Sequence, residues 1–242
     1  MATSGVVVSR SVTTTETVVY DTGVTYATSV TVPSSPPTPP GPPTPPPGTI
    51  FYAPFWESTE YADTVGAAPA TTNGTIAIAV SAEFPDGAYV SDGSNGNYVS
   101  YAVVNDAGQF NFPGDFLVKF SAAKTADTAA GYDTALAFGN GSGIPGFAIE
   151  LSSIRGLAIV YNYSAIINYS FDPNDGVVRV YEWGRVKTNM FLKIDGVEVA
   201  STVNSAEIEN VAPTLIVGAL NGYNLGVSSF NGQLQLVSIS KT

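Results

Sequence analysis

The chain has 242 residues and a net charge of −11 at pH 7, with charged side chains at only 12% of the composition and neither cysteine nor histidine. A disulfide framework, thiolate chemistry and a zinc–thiolate site are therefore excluded, and the usual general base is missing along with the commonest transition-metal ligand. Nine basic residues scattered along an acidic chain give no electrostatic footing for a phosphate track, so nucleic acid is not an expected partner.

The opening stretch "MATSGVVVSRSVTTTE" has no basic region followed by a continuous apolar one, and no apolar run approaches the ~18 residues of a membrane span. Neither Sec export nor a membrane span is expected, and folding in a cytosol is. In the first 32 residues, "VTYATSVTV" places Val24, Tyr26, Val30 and Val32 on one side of a strand. "SVTTTETVVY" reads as a second strand, joined through a turn at Asp21-Thr22-Gly23. Two such strands bury too little to stand alone in water. Residues 1–32 are therefore an anchoring arm that must pair with its own domain, with other copies of the chain or with a different protein.

The stretch "VPSSPPTPPGPPTPPPGT" follows, with proline at ten of the fifteen positions from Pro33 to Pro47. Proline fixes φ and removes amide donors, so residues 33–48 are expected in polyproline II. At about 3.1 Å per residue they form a semi-rigid spacer on the order of 45 Å long. A ligand for an SH3-like groove has the same composition; the position between two strand-rich regions favours the spacer.

Residues 49–242 carry short alternating segments at the spacing of a sandwich and no convincing amphipathic helix. Phe116, Val118 and Phe120 alternate with Leu117 and Lys119. Phe147, Ile149 and Leu151 are expected to pair, across the turn "SSIRG", with Leu157, Ile159 and Tyr161. In "FLKIDGVEVAS" a two-residue Asp195-Gly196 turn predicts Ile194 opposite Val197, Leu192 opposite Val199 and Lys193 opposite Glu198.

The order of these motifs resembles the concanavalin A-like and laminin G-like family of lectin and glucanase domains. "NYVSYAVVNDAGQFNFPGDFLVKFSAAK" is similar to the family's opening strands and "LAFGNGSGIPGFAIELSSIRGLAIVYN" to its central meander. "GRVKTNMFLKIDGVEVAS" is similar to its hairpin and "PTLIVGALNGYNLGVSSFNGQLQLVSIS" to its closing strands. Where many relatives have Trp-His-His before the hairpin, this chain reads "VYEWGRVK". The resemblance implies an all-β fold, a two-sheet antiparallel jelly-roll sandwich behind the β arm and the polyproline spacer.

Glucanases of this fold use carboxylates at alternating strand positions, and retaining chemistry needs two of them about 5–5.5 Å apart. No such triplet occurs here: Glu57, Glu60 and Asp63 have helical or loop spacing, and Glu207 and Glu209 lack a third member. No enzymatic activity and no catalytic residue are expected. In "FDPNDG", Asp172, Asn174 and Asp175 offer hard oxygens for calcium, but the same residues make an ordinary turn, and no cofactor is expected. The family's loop-borne sugar contacts suggest Asn140 in "GNGSGIPG" and Asn221, Tyr223 and Asn224 in "LNGYNLG", residue types that also simply favour turns. Trp56 and Trp183 are expected in the core or an interface.

An arm that cannot fold alone, a rigid spacer and a cysteine-free jelly roll together resemble a virion structural protein of a tailed bacteriophage, such as a capsid decoration protein, head fibre or tail fibre. Expected partners are other virion proteins through the arm, a host glycan at the outer domain and further copies of the chain, with residence in the virion after synthesis in the host cytoplasm. The alternative is a bacterial surface lectin or carbohydrate-binding module.

Overall fold

The structure, a computed structural model, describes residues 17–19, 25–27, 44–56, 71–74, 76–94, 96–102, 107–129, 131–138, 146–162, 164–211, 214–220 and 229–241. Chain contacts divide it into two units, Met1–Gly41 and Pro42–Thr242. In the first, β1 (Thr17–Val19) and β2 (Thr25–Ala27) pair antiparallel, with Val18 opposite Tyr26.

The second unit is all-β apart from a single 3-10 turn at Ala107–Phe110 among the described residues. Its strands are β3 (Thr49–Ala53), β4 (Thr71–Asn73), β5 (Ala77–Ala79), β6 (Ala88–Asp92), β7 (Tyr98–Ala102), β8 (Phe116–Ala123) and β9 (Thr134–Phe138). They continue with β10 (Phe147–Ser152), β11 (Gly156–Tyr161), β12 (Ser164–Tyr169), β13 (Arg179–Val186), β14 (Asn189–Ile194), β15 (Val197–Val203), β16 (Thr214–Val217) and β17 (Asn231–Lys241). One sheet runs β12-β11-β10-β9-β16-β7-β4; the other runs β15-β14-β13-β8-β17-β6-β5, with β3 added alongside β17. All pairs are antiparallel, and the inner faces of both sheets contribute to one core, as in a jelly-roll sandwich. No described helix is long and apolar enough to cross a membrane.

Period-two patterning accounts for much of the register. Phe147 pairs with Tyr161, Ile149 with Ile159 and Leu151 with Leu157, as the alternation predicts. Phe116, Val118 and Phe120 are buried while Leu117 and Lys119 are half-buried. Trp183 is buried edge-on against Phe116 and Phe147, with ring centroids 4.7 and 5.0 Å away. Trp56 is half-buried.

Two positions depart from simple alternation. Ile194 pairs with Val197 and Lys193 with Glu198, and Asp195 and Gly196 both have positive φ as a type I′ turn requires. The register then shifts, so Leu192 faces Ala200 rather than Val199, and Val197 is 65% exposed. In β17 a bulge between Gln235 and Ser238, with Leu236 in the left-handed region at φ 55, lets the first half of the strand pair with β6 and the second with β3.

Antiparallel pairing gathers the ends of β6, β8, β10, β12 and β16 and the starts of β7, β9, β11, β13 and β17 at one end of the sandwich, here called the loop end. The opposite end is fastened by buried Arg185, whose guanidinium donates to the carbonyls of Phe112, Gly114 and Ala206.

Candidate functional site

The "FDPNDG" turn lies at the loop end between β12 and β13. Asp172 accepts the backbone N–H of Asn174 at 3.0 Å, which closes its own turn. Asp175 accepts two hydrogen bonds from Arg179, at 2.7 and 2.6 Å, and a third from the Val177 N–H. The fork from Arg179, followed by the Val177 N–H, holds the Asp175 carboxyl down at about 2. The Asn174 side chain is among the influences that lower the Asp127 carboxyl, and its Oδ1 is buried without a hydrogen-bond partner. Asp172 thus closes its own turn and Asp175 holds an ion pair, and among the described residues no group of three His, Cys, Asp or Glu side chains is placed to hold a metal ion.

Beneath this turn lies an ionic cluster that the pattern of the chain did not announce. Lys124 follows the apolar strand β8, and its ammonium meets the Asp133 carboxylate with neither side chain exposed. Asp127 Oδ1 stands 3.4 Å from the same nitrogen, and the Phe230 ring centroid 5.1 Å from it. Asp133 also accepts the Thr128 N–H at 2.9 Å, the Thr128 hydroxyl at 2.6 Å and the Asn231 N–H at 3.4 Å. Asp127 accepts the N–H and hydroxyl of Ser153. One ammonium thus ties the segment 124–133 to the β10–β11 turn and to the first residue of β17.

At the surface of the same end, Arg155 of the β10–β11 turn donates from Nη1 to Glu150 Oε2 at 2.7 Å, while its guanidinium carbon lies 4.8 Å from the Tyr132 ring centroid. Tyr132 is 38% exposed and Ile154 57%. Glu150 sits on the outer face of β10, opposite to inward Ile149 and Leu151, and burial pushes its carboxyl above the ordinary range while Arg155 opposes the shift. A single basic residue ending "FSAAK" and the "GYD" that precedes β9 are the only sequence marks of these two groups.

The chain leaves β16 through Gly218, whose φ is +90, and returns at Phe230, whose N–H donates to the Gly218 carbonyl at 2.7 Å. Leu220 folds against Ala137, Ala148 and Val160 on the outer face of the seven-stranded sheet. Asn221, Tyr223 and Asn224 belong to the intervening segment and lie outside the described residues, as does Asn140. The strands that flank them depart from different ends: β16 finishes at the loop end, and β9 finishes at Phe138, beside Leu215 and Phe147, at the other. Val24, Val30 and Val32 of the arm are likewise outside the described residues, and of Tyr26 only the backbone in β2 is described. Glu57, Glu60 and Asp63 also fall outside; Glu207 and Glu209 are exposed.

No protein-family model matches the chain, and no curated protein matches it. Solved structures do match, and with the sheet order they define the fold class: a two-sheet antiparallel jelly-roll sandwich. The chain is similar to domain 4 of AbnA, an extracellular GH43 arabinanase from Geobacillus stearothermophilus solved with arabinotriose, at a TM-score of 0.59 and 15% identity. That likeness covers 80% of this chain and 92% of the AbnA domain. The binding domain of Paraclostridial Mosquitocidal Protein 1 (TM-score 0.58, 15% identity) and that of botulinum neurotoxin serotype D/C (TM-score 0.57, 14% identity) are similar over 80% of this chain. The chain spans about half the length of each toxin binding domain, 48%.

Proposed function

We propose that the chain is a non-enzymatic, glycan-binding structural protein of a bacteriophage virion, a capsid decoration, head-fibre or tail-fibre component. The arm anchors it, the proline spacer lifts the jelly roll clear, and the loop end meets a host glycan. The observation that carries the binding half is the fold likeness to nearly the whole of a domain solved with arabinotriose, joined by likeness to toxin binding domains, one of them solved with SialylT. The virion half is supported by an arm and a ten-proline spacer ahead of the sandwich. Repeated copies on one particle would supply avidity even where each site is weak.

Two measurements test the two halves separately. The full chain is expected to bind on a broad glycan array; absence of any binding would refute the adhesive role. The protein is expected in purified particles, and a chain lacking residues 1–41 is expected to be lost from them. The second reading, a bacterial surface lectin, is favoured by likeness to a domain of an extracellular enzyme, and absence from virions together with glycan binding would select it.

A further inference from the structure

We infer that Tyr132, Arg155 and Glu150 form a subsite for an uncharged sugar bearing adjacent hydroxyl groups. The inference rests on the glycan-binding reading above and specifies its ligand class and place. Sugar recognition requires an apolar face for the ring's C–H groups together with donors and acceptors for its hydroxyls, and these three side chains supply all of them within one contact network. Tyr132 is more than a third exposed as a residue, and the Arg155 guanidinium carbon lies 4.8 Å from its ring centroid. Arg155 spends one nitrogen on Glu150 among the described residues, which leaves further donors of its planar fork at a half-exposed position. The Glu150 carboxylate, beside it, is the acceptor.

The surroundings of Glu150 point the same way. A carboxylate on the outer face of a sheet is cheapest when fully solvated, yet Glu150 is buried in a row between Ala158 and Thr134, its cross-strand partners. Thr134 is itself fully buried, and its hydroxyl has no hydrogen-bond partner. A buried polar group without a partner on the same face as a buried carboxylate is costly to hold for stability alone and is suited to a polar ligand.

Charge decides against an acidic sugar. The basic side chains on the loops of this end are Lys124, Arg155 and Arg179, and each already faces a carboxylate: Asp133 and Asp127, Glu150, and Asp175. An anionic ligand would meet no uncommitted cation on these loops and would approach a chain of net charge −11.

The test compares the full chain with Tyr132→Ala, Tyr132→Phe and Arg155→Met on an array of neutral and sialylated oligosaccharides, with thermal unfolding confirming that each variant folds. Neutral glycans are expected to be the ligands, with Tyr132→Ala and Arg155→Met each weakening them about tenfold or more and Tyr132→Phe retaining affinity within about twofold. Binding that survives both weakening variants, or binding confined to sialylated glycans, would overturn this subsite and leave the adhesive role standing. Absence of binding by the parent chain to every glycan would overturn both.

Discussion

The ammonium of Lys124 and the carboxylate of Asp133 meet where neither side chain has any contact with solvent. Two charges removed from water attract strongly but have each lost their hydration, so the pair stabilises little in total while loss of either partner is severe. Lys124→Met is expected to lower unfolding free energy by about 3–5 kcal/mol, and Asp133→Asn by a comparable amount. Urea denaturation of the single variants and of the Lys124→Met, Asp133→Leu double variant measures this. A double variant no less damaged than the sum of the singles would show that the two charges do not act as a pair.

Gly218 stands where a side chain cannot. Its φ is +90, and a Cβ added there would come within 2.1 Å of the Tyr89 hydroxyl, which donates to the Asn97 carbonyl. Gly218→Ala is expected to cost about 1–3 kcal/mol through strain and the displaced tyrosine. Because Phe230 closes the 219–229 excursion on the Gly218 carbonyl, amide hydrogen exchange at Phe230 is expected to accelerate in the variant. Unchanged exchange would mean that the excursion is held from elsewhere.

Asp175 supplies a pH dependence of known sign. Its folded carboxyl is held at about 2, below the unfolded value, so its stabilisation is present above the unfolded value and is lost as pH falls through the folded one. Exposure of the pair limits the contribution to within about 1 kcal/mol. A carboxyl-detected NMR titration is expected to return Asp175 towards the ordinary aspartate range in Arg179→Met. A carboxyl that stays near 2 in that variant would assign the depression to the turn's backbone N–H instead.

Glu150 has the opposite sign. Burial raises its folded carboxyl, so the folded state holds the proton more tightly; stability is greatest below the unfolded value and declines as pH rises through the folded one. Arg155→Met removes the opposing cation and is expected to raise the carboxyl further. Relative to the parent chain, the variant should therefore melt at a disadvantage that is larger at pH 7 than at pH 4, and a second change, Glu150→Gln, should erase the difference between the two pH values. Equal losses at both would assign the Arg155 effect to its packing on Tyr132.

The sequence by itself determined the elements whose information is local. Alternation set the β10–β11 pairing from Phe147 opposite Tyr161 to Leu151 opposite Leu157, because in a two-faced strand a slip by one residue would expose the apolar row. The Asp195-Gly196 turn set its hairpin in the same way, since both residues tolerate positive φ. Tertiary structure alone decided what depends on distant groups sharing one environment. The shift that puts Ala200 opposite Leu192 and the bend of β17 at Leu236 arise from fitting strands to several neighbours at once. Asp172, Asn174 and Asp175 are near neighbours along the chain, but only folding brings Arg179 onto Asp175 as its ion-pair partner. Lys124 and Asp133, or Arg155 and Tyr132, are unremarked polar residues along the chain; their charge and stacking acquire meaning only when packing removes water from the first pair and brings the second together across two loops.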